Sequence, residues 1–507
     1  MAYEPTTTRL IVVSNRLPFV IRQAADGGWD AEPGSGGLVS ALVPALKKRG
    51  GVWVGWPGVA DADAAEVQPV LDELTRDVAY SVQTVGLTAS EVDGFYFGFS
   101  NEAIWPLFHD FTCNCNFVPS YWRCYRQVNR KYARAVADIA EPGDFIWVQD
   151  YHLMQMGREL RELKLDNRIG FFLHIPFPPL DIFLRLPWRQ QIIRGLLQFD
   201  LVGFQTARDR RNFLQCVRTL FEDIHVEKAG RISTVWPQAE PDNGPDPDTR
   251  RKVRVGSFPI GIDYASFAEC AASERVDELV AYLQSTLDGR KLILGMDRMD
   301  YTKGILNRLE AFHLALQRYP KLFKRVRYVQ HLVPSREGID DYHELKNEVE
   351  RLVSEINGDF TRAGWVPVHY IHRSMKFEEV VAYYRAADIA LVTPLKDGMN
   401  LVAKEYCAAR IDDDGVLVLS EFAGAAAQLK KDALLVNPYD IEATAEGIYK
   451  AFTMSAEERK ARMHALRKIV RDSDVFDWVE SFLDVALDRV PVRTGSIEAS
   501  LPHADTG

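Results

Sequence analysis

The sequence predicts an α/β protein built from two doubly wound domains, and three observations carry that prediction. Short β-rich runs alternate with amphipathic helical stretches through both halves of the chain. The runs are apolar throughout rather than alternating, which suits parallel strands covered on both faces. The intervening helical stretches, such as Ile305–Arg318 and Tyr342–Ile356, are long enough to cross between parallel strands. At 507 residues, two domains are the default.

In the first half the predicted strands are Arg9–Asn15, Val52–Trp56, Asp144–Gln149, Arg168–His174, Leu201–Gln205 and Lys252–Pro259. In the second half they are Lys291–Asp297, Val326–Leu332, Ile389–Thr393, Val416–Ser420 and Ala433–Val436. A domain boundary is expected near Gly261–Ile262, after the strand in KVRVGSFPIGID. The Pro- and Asp-rich stretch Pro237–Asp248 reads as a surface loop or hairpin. The polar tail, with scattered Gly and Pro, is expected to be disordered.

Composition narrows the function classes. Apolar residues make up 47% and charged residues 26%, ordinary values for a globular protein. The formal net charge of −10 favours neither a nucleic acid nor an anionic membrane as partner. No apolar run approaches the ~20 residues of a membrane span, and MAYEPTTTRL lacks the apolar core of a signal peptide. A cytoplasmic protein is expected. Six cysteines in so long a chain do not form a disulfide framework. Cys113, Cys115 and Cys124 match no zinc spacing, so they read as reduced core thiols, and no metal site is expected. Asp412–Asp414 reads as a solvated acidic loop.

In open α/β sheets ligands bind beyond the carboxyl ends of the strands, so the residues there matter most. The run Asp388–Thr393 ends in Pro394 and the turn Asp397-Gly398-Met399-Asn400, and a helix-forming run, Leu401–Arg410, comes at once after it. Strand, glycine-containing turn and helix start point free N–H groups and a positive helix end into one crevice. An anion such as a phosphate suits it. Asp397 and Glu405 would repel phosphate, so they are better placed to hold sugar hydroxyls, and the turn suggests a nucleotide-sugar pocket.

GMDRMDYTKG places Arg298 and Lys303 just past another strand, where two cations can neutralise a diphosphate without a metal. The loop Gly34-Ser35-Gly36-Gly37 opens a helix and lets backbone approach a phosphate or sugar, although a plain turn fits it too. Arg16 comes after the first strand, well placed for an anionic substrate or for solvent. Tyr96 and Trp105 bracket YFGFSNEAIW and could stack on a sugar or serve the core. His174 closes the strand FFLH, as a site residue or a structural one.

These motifs together resemble the trehalose-6-phosphate synthase family, retaining glycosyltransferases with two facing α/β domains. The likeness runs from about Arg9 to Val485 through VVSNRLP, the GGL loop, FSNEAIWPLFH, VQDYHL, GFFLHIPFP, MDRMDYTKG and LVTPLKDGMNLVAKEY. It implies a GT-B arrangement of Rossmann-like domains, with the site in the cleft between them. Residues 1–261 would be the acceptor domain and 262–472 the donor domain. Residues 473–490 would return as a helix to the first domain, and 491–507 would be the tail.

The resemblance implies glucosyl transfer from UDP-glucose to glucose 6-phosphate, with ADP-glucose or another nucleoside-diphosphate glucose as alternative donors. Arg298 and Lys303 would neutralise the diphosphate. Asp397 and the backbone of Gly398, Met399, Asn400, Leu401 and Val402 would hold glucose and phosphates, and Glu405 the ribose. His174 would sit beside the reacting carbon, with Gly37 near the donor phosphates. Arg16, Tyr96, Trp105 and Arg336 would bind the acceptor, Asp150 its hydroxyls, and Trp56 would line that pocket. The departing diphosphate would help deprotonate the incoming hydroxyl, so no protein nucleophile is needed. Neither a cofactor nor a metal is implied, and a homo-oligomer is, with a tetramer as one such assembly. A glucan-extending transferase would not need the acceptor-phosphate residues, and a non-catalytic sugar-phosphate sensor would not need Arg298, Lys303 and Glu405 together.

Overall fold

The computed structural model describes residues 8–23, 28–34, 37–62, 64–222, 224–237, 252–334 and 340–489. The chain forms two compact units. It leaves the first after Pro259 and returns to it at Trp478.

The first unit carries β1 (Leu10–Arg16), the hairpin β2 (Phe19–Gln23) and β3 (Trp29–Pro33), β4 (Gly51–Trp56), β5 (Tyr80–Thr84), β6 (Phe145–Gln149), β7 (Arg168–Leu173), β8 (Leu201–Phe204), β9 (Ile224–Ala229), β10 (Ile232–Pro237) and β11 (Val253–Ser257). Apart from the hairpin, these strands lie in the order β5-β4-β1-β6-β7-β8-β11-β10-β9. The pairs from β5 to β11 are parallel, and β10 and β9 close the edge antiparallel. The second unit carries β12 (Lys291–Arg298), β13 (Val326–Val333), β14 (Val368–His372), β15 (Ile389–Val392), β16 (Val416–Ser420) and β17 (Leu434–Val436), ordered β14-β13-β12-β15-β16-β17 and parallel throughout.

The order β5-β4-β1-β6-β7-β8 runs outward from β1 on one side and then from β6 on the other. The second sheet does the same from β12 and β15. This is the Rossmann order, and each sheet has one point where the direction of winding reverses. In the first unit β1 pairs with β6 only over Leu10–Val13. In the second, β12 pairs with β15 only at Ile293 and Leu294, while on its other side it stays paired with β13 as far as Arg298. The central strands therefore part before they end, and a slot opens at each reversal.

Burial explains the strands. β6 and β16 are buried at every residue, and β1 is buried up to Asn15 and exposed only at Arg16. The helix Val475–Ala486 supplies Trp478 and Phe482 to the first unit's core. There Phe482 stacks on Trp147 at 4.6 Å between ring centres, and Trp478 meets Phe172 edge-on at 5.0 Å. Gly170 and Gly203 make room for Phe482, since a Cβ on either would strike its ring.

Two expectations are corrected. The cysteine trio is not core: Cys113 is exposed and Cys115 and Cys124 are only partly buried. The acidic loop is not merely solvated. Asp414 takes a two-pronged bond from Arg459 at 2.6 and 3.0 Å, and Asp413 pairs with Arg467 and His464. These bonds tie the loop to the helix Ala456–Arg471. Pro237 ends β10, and the rest of the stretch expected as a loop or hairpin lies outside the described residues, as does the tail from residue 490. Among the described residues no helix is long and apolar enough to cross a membrane.

Candidate active site

The first unit's slot is walled by side chains. Arg16 ends β1, and its guanidinium lies over the Trp56 ring at 4.5 Å and faces the Tyr96 ring at 5.5 Å. Gly58, at φ +97°, gives Arg16 room, because a Cβ there would strike its guanidinium. Trp56 is held from behind. Its backbone N–H donates to the Tyr132 hydroxyl at 3.1 Å, that hydroxyl donates to the Asn15 carbonyl at 2.6 Å, and the indole N–H donates to the Val59 carbonyl at 3.0 Å.

Tyr96 sits on a π-helix, Val92–Ile104, whose wide i→i+5 turns are rare and gather at functional sites. This helix lies close against the helix Pro119–Ala137, where Gly94 faces Cys124 and Gly98 faces the Tyr121 ring too tightly for any side chain. The Tyr96 ring stacks on His152 at 6.0 Å, 10° from parallel, and its carbonyl accepts a bond from Asn101 at 2.7 Å. Trp105 lies deeper, 4% exposed, packed against Tyr151 and His109. Of the residues expected at the acceptor, Arg16, Trp56 and Tyr96 come together.

Asp150 comes after β6 with φ +71° and ψ 171°, a backbone region nearly reserved for glycine. Its N–H donates to the Phe172 carbonyl at 2.7 Å, and its Oδ1 accepts the His174 N–H at 3.1 Å. The strained residue is thus held by β7 and in turn holds the residue after β7. The His174 ring meets Gln149 Oε1 through Nε2 at 2.9 Å and Gln205 Nε2 through Nδ1 at 3.5 Å. An amide oxygen accepts and an amide nitrogen donates, which puts the proton on Nε2. The residue is partly exposed, but the ring is enclosed, and burial pushes its pKa down to about 3. Burial and the two amides thus favour a neutral, fixed imidazole near pH 7. Gly37 begins the helix Gly37–Arg49, while residues 35 and 36 of its loop lie outside the described residues.

The second unit's slot is built from backbone. Arg298 ends β12 exposed. The next turn is shaped by Asp300, whose Oδ1 accepts from the Thr302 N–H at 3.0 Å and its hydroxyl at 2.8 Å. Gly304, at φ +62°, lies against the Thr393 carbonyl, where a Cβ would collide. The Leu395 N–H donates to the Thr302 carbonyl at 2.8 Å. These contacts join the turn after β12 to the turn after β15, so two motifs far apart in sequence share one slot. Lys303 Nζ donates to Asp397 Oδ2 at 2.6 Å, a largely buried pair, and Asn400 Nδ2 reaches the same oxygen at 3.2 Å.

The helix Leu401–Ala409 starts from Asn400 at φ +74°, which makes no side-chain cap bond. The first-turn N–H groups therefore face the slot without a side-chain cap, as an anion site requires. Met399 and Gly398 are buried, and Leu401 and Val402 are partly exposed on the first turn. Glu405 Oε2 accepts from the Tyr384 hydroxyl at 2.7 Å, and burial still raises its carboxyl above the usual range. Arg336 lies outside the described residues.

Several site residues had escaped sequence reasoning. Gly424 backs the turn: its N–H donates to the Asp397 carbonyl at 3.1 Å, and a Cβ there would collide with the Gly398 carbonyl. The Ala425 N–H donates to the Met399 carbonyl at 2.7 Å. Asp297, the residue before Arg298, forms a fully buried ion pair with Arg308, and Arg308 also donates to the Leu391 carbonyl at 2.7 Å. Tyr384 and Gln149 orient Glu405 and His174. Gly424 was the most findable, since EFAG comes after a strand as the DGMN turn does. The others rest on long-range pairing.

Residues 8–487 match glycosyltransferase family 20. The chain is 42% identical to a trehalose-6-phosphate synthase of Mycolicibacterium gilvum over 487 residues, 96% of this chain and 95% of that one. It is 43% identical to one of Mycobacterium avium over 486 residues, 95% and 96%. A solved alpha,alpha-trehalose-phosphate synthase (UDP-forming) of Burkholderia xenovorans, in complex with glucose-6-phosphate, superposes with a TM-score of 0.84 at 34% identity. It covers 94% of this chain and 100% of that one. A solved E. coli relative bound to UDP-2-fluoro glucose gives 0.82 at 34% identity, covering 96% and 100%. With the fold, the slots and these likenesses in agreement, the chain belongs to glycosyltransferase family 20.

Proposed function

We propose that the chain transfers glucose from UDP-glucose to the anomeric hydroxyl of glucose 6-phosphate, forming α,α-trehalose 6-phosphate and UDP with retention. The observation that carries this is the pair of reversal slots. One offers an arginine against aromatic rings, and the other offers an uncapped helix N-terminus, with Lys303 bonded to the turn before it and Arg298 at the end of the strand paired with β15. Phosphate and sugar suit the first, and a sugar diphosphate suits the second. The relatives named above carry the same activity in their names, and two were solved with the corresponding ligands.

In this reading the bond from the donor's anomeric carbon to the diphosphate breaks, and a bond to the acceptor's anomeric oxygen forms. The acceptor's proton passes to the departing diphosphate, so no carboxylate pair at ~5 Å is needed. The chain's share is to position two substrates and to stabilise charge on the leaving group. Arg298 and the first-turn amides of Leu401 and Val402 meet the diphosphate. Lys303 is held by Asp397 until a phosphate or sugar hydroxyl competes for either partner. Glu405, oriented by Tyr384, takes the ribose. Gly37 lies by the donor phosphates, and His174, neutral and clamped by two amides, shapes the wall at the reacting carbon without donating a proton. Arg16, with Arg336, takes the acceptor phosphate, Tyr96, Trp56 and Trp105 line its pocket, and Asp150 takes its hydroxyls. A cytoplasmic homo-oligomer working without a metal completes the proposal.

The test is release of UDP from UDP-glucose by the purified chain when glucose 6-phosphate is added, with ADP-glucose as a competing donor. Release that depends on both substrates is expected. Its absence with every nucleoside-diphosphate glucose tried would overturn the proposal and favour a sugar-phosphate sensor.

A further inference from the structure

Lys404 is a buried lysine that the reaction does not use. It lies one residue before Glu405 on the helix Leu401–Ala409 and is 1% exposed. Its Nζ donates to the Ile260 carbonyl at 2.6 Å. Ile260 opens the second unit, immediately after the chain leaves the first. The crossover is itself tightly built. A Cβ on Gly261 would collide with the backbone of Ser473 and Asp474, and the Val475 N–H donates to the Ile262 carbonyl at 3.0 Å. The entering segment is therefore zipped to the segment about to leave, and Lys404 is bonded to that zip.

Enclosing an amine this way is costly, because a buried ammonium loses its water. Burial pushes the Lys404 amine down to about 7. An apolar side chain of similar length would pack there at less cost, which points to a use for the bond beyond filling space.

We propose that Lys404 is a positioning residue for the donor: its bond to the Ile260 carbonyl pins the helix Leu401–Ala409 to the crossover and so sets where the helix N-terminus meets the diphosphate. This rests on the reading that the N-terminus takes the donor. The bond acts on one end of the helix while Tyr384 acts on Glu405, so the first turn is held from two sides. The acceptor residues lie on other elements and do not depend on it.

The experiment compares Lys404→Met, Lys404→Gln and Arg298→Ala with the wild-type chain. It measures UDP affinity by calorimetry, KM for each substrate and the unfolding temperature. Met keeps the stem and drops the donor, and Gln keeps a shorter, neutral donor. Lys404→Met is expected to weaken UDP binding and raise the UDP-glucose KM about tenfold, the usual worth of one charge-assisted hydrogen bond. Lys404→Gln should lose less, and neither should move the glucose 6-phosphate KM or lower the unfolding temperature. If Arg298→Ala weakens UDP binding and Lys404→Met does not, the positioning role is wrong and the donor site stands. If Arg298→Ala leaves UDP binding unchanged, the donor site itself is wrong. Parallel loss of both KM values with a lower unfolding temperature, or failure of both Lys404 variants to fold, would make the residue merely structural and overturn the inference.

Discussion

The two slots share a strand order and a place in it, and they are furnished in opposite ways. At the β1/β6 reversal the working groups are side chains: Arg16 over Trp56 and Tyr96, with the strained Asp150 holding the backbone before His174. At the β12/β15 reversal the working surface is largely backbone, a helix N-terminus presented by a turn that two glycines, Gly304 and Gly424, allow to sit against other main chain. The topology decides where a ligand goes, and the residues just past each strand decide which ligand. Side-chain walls suit a compact sugar phosphate with hydroxyls on every side. A row of amides suits a diphosphate, whose charge is spread over several oxygens.

That contrast can be broken most sharply at Gly424. An added methyl would meet a carbonyl oxygen, which cannot swing away as a side chain can. Gly424→Ala is expected to lower kcat/KM for the donor about a hundredfold through misplacement of the turn. The acceptor KM should stay close to wild type in steady-state assays. An equal loss for both substrates would show that the slots are not furnished separately.

Arg16→Met sharpens the other side. It removes the guanidinium from the two rings and leaves an unbranched chain of similar reach. The glucose 6-phosphate KM should rise about thirtyfold, the scale of a charge-assisted phosphate contact, with UDP affinity unchanged. An unmoved acceptor KM would take Arg16 out of the phosphate role.

The smallest effect is on stability. Burial lowers the His174 pKa to about 3 in the folded chain, while an unfolded histidine titrates near 6.5. Between those values the unfolded chain binds the extra proton. Stability from this group is thus full above about pH 6.5 and falls as pH drops toward 3. From pH 6.5 to 5.5 the wild-type chain should lose about 1 kcal/mol more than His174→Gln, as read from urea midpoints. Equal losses would mean the imidazole is protonated in place, and its role as a fixed neutral wall would fail with it.

The central strands were legible because buried parallel strands are apolar at every position. β5, β14 and the two hairpins were not. β14 reads VHYIH and is fully buried only at Val368, so it lacks a core strand's signature. The turn after β15 was legible from local order alone: strand, glycine, helix. Its backing by Gly424 was not, because that contact joins two loops more than twenty residues apart. The pairing of Lys303 with Asp397 joins residues assigned separate tasks, and nothing in either motif announces it. Nothing in VQDYHL marks Gln149 as a ring partner, yet it is fully buried and holds the His174 ring. The π-helix escaped because the periods read from a sequence are those of the α-helix and the strand, and i→i+5 bonding is too rare to be expected.

That π-helix carries a consequence for how the protein can change. Substitutions along Val92–Ile104 alter one side chain at a time, but a single deletion that the wide turns did not absorb would turn the residues on one side of it against the other by about 100°, the step of one helical residue. Tyr96 would leave the Arg16 side of the slot while the strands stayed intact. The segment therefore acts as a length gauge: it tolerates spelling changes better than indels, and descendants of this chain should keep its residue count more faithfully than its residues.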